Sequence, residues 1–174
     1  MFWRMLATIV ILPGMALVFV PGLILWMTSD PETGLTVAGL GEVDLWIGLA
    51  AGVIGLGLAV WTARLFMTLG EGTPAPWDPP QKLVVVGPYR HVRNPMITSV
   101  LLMLFAEAMI FQSSLVAAWL ILFFMVNGVY FPLSEEKGLE KRFGDDYRRY
   151  KQNVPRWLPR MSPWIDPESE GENK

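Results

Sequence analysis

The 174-residue chain contains no cysteine and one histidine, His91. Those two scarcities exclude a disulfide framework, a thiolate metal site and a histidine-rich metal cluster. Charge is also scarce: Asp, Glu, Lys and Arg make up 17% of the residues against 52% hydrophobic ones, a balance too apolar for a soluble domain of this length. One stretch, Thr28 to Asp44, lacks Lys and Arg altogether while carrying Asp30, Glu32, Glu42 and Asp44. The expected partner is therefore the lipid bilayer, with neither metal nor nucleic acid; oligomeric state is not legible.

What fills the chain instead is long apolar runs. Met5 to Met27 holds no charge and at about 1.5 Å per residue can cross a hydrocarbon core of roughly 30 Å. It exceeds the apolar core of a cleavable signal peptide and ends without a small-residue cleavage pattern. Leu45 to Leu69 predicts a second span, in which Gly48, Gly52 and Gly55 leave one face bare for close helix contact. Apolar character resumes over Met96 to Phe111 and over Leu115 to Leu133, separated by Gln112-Ser113-Ser114. A single crossing of that length would overrun the bilayer, so the break predicts a tight helical hairpin.

The expected architecture is an all-α integral membrane bundle of about four transmembrane helices. One domain covers 1–163, with spans near 5–27, 45–69, 96–111 and 115–133 and a cytoplasmic segment 134–160. The acidic tail 164–174, with Asp166, Glu168, Glu170 and Glu172, is expected to be disordered. Positive charge sets the sides: Arg4, the stretch from Arg64 to Arg93, and Lys137, Lys141, Arg142, Arg148, Arg149 and Lys151 face the cytoplasm, which puts both termini inside. Trp3, Trp26 and Trp46 fall near span ends, where indole rings favour the interface.

Two polar segments on the cytoplasmic side are rich enough in chemistry to form a site, and they are expected to meet. The first reads GTPAPWDPPQKLVVVGPYRHVRNP; Pro74, Pro76, Pro79 and Pro80 forbid a regular helix. A β-like run over Leu83 to Val86 follows, then a turn at Gly87-Pro88, with Pro95 suited to the first turn of the next helix. In the second segment Ser134 is predicted to cap a helix that begins with Glu135 and Glu136. Leu139, Phe143, Tyr147 and Tyr150 recur at helical spacing, interrupted by Gly144-Asp145, to make an apolar face against the membrane or the other segment. The basic residues of this amphipathic piece also suit anionic headgroups.

GPYRHVRNP before a span, a tandem glutamate pair after the next one, and then FGDDYRRYKQNVPRWLP together resemble the isoprenylcysteine carboxyl methyltransferase and phospholipid methyltransferase superfamily, over roughly Gly70 to Arg160. The resemblance implies a membrane enzyme that uses S-adenosyl-L-methionine, held between the loop before the hairpin and the segment after it. It maps the cofactor stretch onto Gln81, Lys82, Leu83, Val84, Gly87, Tyr89, Arg93, Asn94 and Pro95, and an acidic ligand onto Glu135 or Glu136. That cofactor presents an ammonium, a carboxylate, a flat adenine and a sulfonium, so its site needs an acid, donors and apolar walls. Glu135 suits the ammonium or a ribose hydroxyl, Arg90 or Arg93 the carboxylate, and Tyr89, Leu83, Trp157 and Leu158 the walls. The chain departs from the family where Asn94 replaces a histidine, Ile97 a tyrosine and Phe131 an arginine.

The acceptor implied is lipid-like or otherwise membrane-soluble, with a carboxylate, thiol or amine as nucleophile. An amine must lose a proton, and His91 has the side chain suited to that task, Glu135 and Glu136 being the other catalytic candidates. Glu107, inside the third span, faces the bundle interior or lies near the outer interface. Asn127 is expected to bond between helices, and Met96, Met103, Met109 and Met125 to be flexible apolar filling around a lipid tail or in the core. A second class, a non-enzymatic helical membrane protein such as a transporter subunit or assembly factor, remains compatible with the same residues.

Overall fold

The computed structural model describes residues 13–30, 34–70 and 81–166, all helices and connecting loops. Helix α1 covers Met15–Thr28, its first turn a π-helix. Helix α2 covers Val43–Leu65 and continues as a π-helical turn, Phe66–Gly70. Helices α3, Pro95–Ile110, and α4, Ser114–Tyr130, form the hairpin. A π-helical turn, Phe131–Glu135, carries α4 directly into α5, Glu136–Asn153.

Two of these helical runs, Val43–Gly70 and Ser114–Asn153, are long and apolar enough to cross a membrane, while Met15–Thr28 and Pro95–Ile110 are apolar and shorter. Val53, Ile54 and Leu56 on α2 and Ile121, Met125, Val126 and Val129 on α4 are exposed. In water such a surface would be a large unpaid patch; in a bilayer it needs no cover. The chain is therefore a membrane-associated helical protein. Of the first expected span, only the part from residue 13 onward lies within the described residues, and Trp3 and Arg4 lie outside them.

The tightest packing is between α2 and α3. A Cβ on Gly48 would come within 2.8 Å of Ile110 and 3.1 Å of the Ala106 carbonyl, and one on Gly55 within 3.0 Å of Met103 and of the Ser99 carbonyl. The small-residue face thus lets two backbones approach closely, and Met103 and Met109 fill the seam. On the other side of α3, Val100 and Leu104 pack with Ala16, Leu17, Trp119 and Phe123 of the flanking helices. Trp119 anchors α4 to α1 by donating its indole N–H to the Ala16 carbonyl at 3.0 Å. The hairpin turns at Phe111–Gln112, and Ser113 caps α4 by accepting from the Val116 amide.

Three local expectations are corrected. Ser134 does not cap a helix: the chain is helical on both sides of it, because the missing N–H of Pro132 is absorbed by a wider π turn rather than by a break. The glutamate pair therefore sits within a continuous helix, not at a positive helix end. Leu83 to Val86 is extended but pairs with no strand, and the described residues contain none. Asn127 donates to the Phe123 carbonyl of its own helix at 2.7 Å, so its bond is intrahelical.

Candidate functional site

The loop leading to α3 is held at its start by the Gly70 carbonyl, which accepts from the Gln81 amide at 2.9 Å and the Lys82 amide at 3.4 Å. Extended backbone then alternates its side chains: Leu83 and Val85 pack on the aromatic cluster of α5, while Val84 is buried. Gly87 has φ 56°, and a Cβ there would meet the Trp61 ring at 3.0 Å, so both backbone strain and contact favour glycine. The turn Gly87–Arg90 buries Pro88 and Tyr89, and the Tyr89 ring packs edge-on to Phe66 at 5.6 Å. Pro95 occupies the first turn of α3, as expected.

The segment after α4 wraps this loop. Gly144, with φ 57° and ψ −127°, kinks α5 and turns Tyr147 and Tyr150 inward, where they pack with Val154, Trp164, Leu83, Val85, Leu139 and Phe143. The apolar face predicted at helical spacing thus rests on the other polar segment. Beyond Asn153 the chain runs back along the loop. Arg93 donates its amide to the Pro155 carbonyl at 2.9 Å, Arg160 donates to His91 at 3.0 Å and Trp164 to Arg90 at 3.0 Å. Tyr150 donates its buried hydroxyl to the Tyr89 carbonyl at 2.8 Å. His91 closes the clasp with Nδ1 2.8 Å from the Arg160 carbonyl, which in the neutral ring puts the proton on Nδ1 and leaves Nε2 as the acceptor.

At the centre stands Glu136, its side chain 3% exposed. Its Oε1 accepts from Arg93 Nη1 at 2.9 Å and from Arg156 Nε at 2.6 Å; its Oε2 accepts from Arg156 Nη2 at 3.0 Å and lies 3.4 Å from Lys151 Nζ. Burial alone would raise this carboxyl, but the Arg156 bond and the Arg93, Arg156 and Lys151 charges outweigh it and hold it below its ordinary value. Glu135 has the opposite environment. It is accessible, and desolvation by the protein around it followed by the Glu136 charge pushes it up to about 7. The geometry separates two glutamates that the sequence left interchangeable: one is saturated by cations, the other is open.

Buried polar atoms are nearly always paired. Two donors here are not: Arg93 Nε and Asn94 Nδ2, on consecutive residues, are buried without a hydrogen-bond partner. Beside them Tyr89 is kept protonated, well above its usual range, by burial first and by the nearby Tyr150 and Glu135. Two unsatisfied donors, an open carboxyl and aromatic walls within one fold contact fit a ligand carrying both an acceptor group and a cation or hydroxyl.

The remaining candidates distribute as follows. Arg90 donates Nε to the Val85 carbonyl at 3.3 Å and supports the loop. Trp157 packs edge-on to Phe124 at 5.2 Å and Phe131 at 6.1 Å. Leu158 is 81% exposed and joins neither aromatic nor apolar cluster. Gln81 and Lys82 are exposed at the edge of residues 71–80, which lie outside the described residues together with the expected prolines. Trp164, the first residue of the expected tail, is buried on Tyr150, and residues 167–174 lie outside the described residues. Glu107 buries an unpartnered Oε2 within α3. Sequence reasoning did not single out Arg156, Lys151 or the Tyr150 hydroxyl; Arg156 stands inside the quoted C-terminal pattern, but only the fold reveals its partner. From Phe124, a groove of about 340 Å³ lined by Thr98, Leu101, Leu102, Leu120 and Ile121 opens between α3 and α4.

The profile of the family described as phospholipid methyltransferase matches residues 43–146, which include the loop, the hairpin and both glutamates. An uncharacterized protein of Haemophilus influenzae is 44% identical over 63 residues, 36% of this chain and 100% of the relative. No solved structure matches.

Proposed function

Because the chain belongs to the phospholipid methyltransferase family, we propose that it binds S-adenosylmethionine between the loop 81–95 and the segment 134–160, and transfers a methyl group to a lipid, prenyl or other membrane-soluble acceptor. The observation that carries this reading is the pair of buried, unpartnered donors on Arg93 and Asn94, in the same loop as Tyr89, which feels the charge of the accessible Glu135. In it, Arg93 Nε and Asn94 Nδ2 hold the cofactor's carboxylate, Glu135 takes its ammonium or a ribose hydroxyl, and Tyr89 and Trp157 wall the cavity. The site fits the group on donor chemistry alone, without Leu158.

The bound cofactor supplies a methyl group already activated by its sulfonium. The protein's own part is positioning: a nucleophile held about 3 to 3.5 Å from the reacting carbon in a site closed to water gains most of the available acceleration. Arg93, Arg156 and Lys151 all sit on Glu136, and Phe131 stands where the resemblance implies an arginine. That charge balance favours an amine or thiol acceptor over a carboxylate. An amine's proton has Glu135, near neutrality, or His91 Nε2 to receive it.

Helices α1 to α4 are proposed to be four spans with both termini in the cytoplasm. In support, the 22 helical residues from Ser114 to Glu135 extend about 33 Å, a length that matches one bilayer thickness between the hairpin turn and Glu135. The groove between α3 and α4 suits an acceptor's hydrocarbon tail arriving sideways. Calorimetric titration of purified protein with S-adenosylhomocysteine tests the reading. Saturable binding, lost in Glu135→Ala, is expected; wild-type protein that binds no S-adenosylhomocysteine would leave a helical membrane scaffold without this activity.

A further inference from the structure

Glu136 offers four lone-pair directions, and Arg156 occupies two of them with a fork, Nε to Oε1 at 2.6 Å and Nη2 to Oε2 at 3.0 Å. Lys151 Nζ lies 3.4 Å from Oε2. What remains for Arg93 on this carboxylate is a single bond, Nη1 to Oε1 at 2.9 Å, while its guanidinium also meets the Tyr147 hydroxyl. An arginine facing an uncontested carboxylate ordinarily closes both of its prongs on it. Here it cannot, and its Nε is left buried and unpartnered beside the equally unpartnered Asn94 amide.

We propose that Arg156 is a positioning residue for the cofactor's carboxylate. By saturating Glu136 it confines Arg93 to one prong and keeps the Nε edge of that guanidinium, with Asn94 Nδ2, turned to the ligand. Arg156 touches no reacting atom in this scheme. It stands one residue beyond Pro155, whose carbonyl accepts from the Arg93 amide, so the C-terminal strap carries both the backbone and the side-chain contact that fix Arg93. The proposal rests on the cofactor site inferred above.

Removing Arg156 frees two lone pairs of a buried carboxylate that still has Arg93 and Lys151 beside it. Arg93 then rotates into a two-pronged pair with Glu136 and withdraws Nε from the ligand. The charge stays compensated, so the fold persists while the carboxylate receptor is lost.

The test compares two probes by calorimetry: S-adenosylhomocysteine, which carries the amino-acid carboxylate, and 5′-methylthioadenosine, which lacks it. In Arg156→Ala the dissociation constant for S-adenosylhomocysteine is expected to rise about 10- to 100-fold, the equivalent of one charge-assisted hydrogen bond, while that for 5′-methylthioadenosine stays within about threefold. Arg156→Lys, which keeps the charge and one donor, is expected to recover part of the loss. Equal weakening of both probes would assign Arg156 a general structural role and overturn the proposal, as would unchanged binding of S-adenosylhomocysteine. Should Arg156→Ala not fold, the same contrast between probes is read in Arg156→Lys, where a uniform effect or none overturns it. Wild-type protein that binds neither probe refutes the cofactor site itself, a different failure from a variant that binds like wild type.

Discussion

The two ends of the helical hairpin are held by different physics. At the turn end, Ala38 donates its amide to the Ile110 carbonyl at 2.8 Å and Gln112 bonds Glu42 from an exposed position; the Ser113 cap and the Trp46 indole bond to the Leu40 carbonyl are local. At the Glu135 end, a buried carboxylate gathers three cations, and five hydrogen bonds tie residues 89–93 to residues 150–164. Apolar contacts can be exchanged for others of similar volume, whereas a buried charge deprived of its partners costs several kcal/mol. Specific chemistry is concentrated at the end that the family resemblance assigns to the cofactor, and the other end only closes the bundle.

The largest expected effect therefore comes from Glu136→Ala, which strands Arg93 and Arg156 half-buried: a loss of about 3 to 5 kcal/mol, read by denaturant unfolding in detergent, with loss of S-adenosylhomocysteine binding. Gly55→Leu overpacks the α2–α3 seam and is expected to cost about 1 to 3 kcal/mol, lowering thermal stability while any protein that remains folded binds S-adenosylhomocysteine as before. Tyr150→Phe leaves the Tyr89 carbonyl without its donor and is expected to cost about 1 kcal/mol, with faster amide exchange confined to the loop. At the opposite end, Gln112→Ala loses only an exposed bond and is expected to cost about 0.5 kcal/mol or less; an effect as large as that of Tyr150→Phe would erase the contrast between the ends.

Titration sharpens the same contrast within the glutamate pair. Glu136, held below its ordinary value, contributes stability that is complete above the ordinary carboxylate range and is lost as pH falls through its lowered value. Glu135, raised to about 7, is protonated in the folded protein where the unfolded chain is ionised, so it costs stability as pH rises from about 4.5 to about 7. On the proposed assignment of Glu135 to the cofactor, binding to the ionised carboxylate runs the other way and is expected to tighten over that upper window. Thermal unfolding of the free protein between pH 5 and 8 should show the decline, and Glu135→Gln should flatten both trends.

Hydropathy made the helices legible, because an apolar run long enough for a bilayer has few alternative fates. The glycine face of α2 was legible for a similar reason: Gly48 and Gly55 recur on one side of a helix, and the structure packs α3 against them. Local polar signals misled where the helix had no need to stop. Ser134 and the following glutamates read as a cap, yet α4 passes straight through them, widened by one π turn at Pro132. Asn127 read as a link between helices but satisfied itself one turn back. At the candidate site the residue types were legible and their division of labour was not. Adjacent glutamates point to different faces of a helix, so one is buried on Arg156 and the other stays accessible. Which of several arginines reaches a given carboxylate depends on how a kink at Gly144 returns the chain, and no spacing along the sequence encodes that.

The central claim, that two distant polar segments form one cofactor cavity, is tested most directly by hydrogen-exchange mass spectrometry with and without S-adenosylhomocysteine. The account predicts simultaneous protection of peptides covering 83–95 and 134–160, with the hairpin turn at 111–113 unchanged. Protection of only one of those two segments, or of neither at saturating ligand, would contradict it.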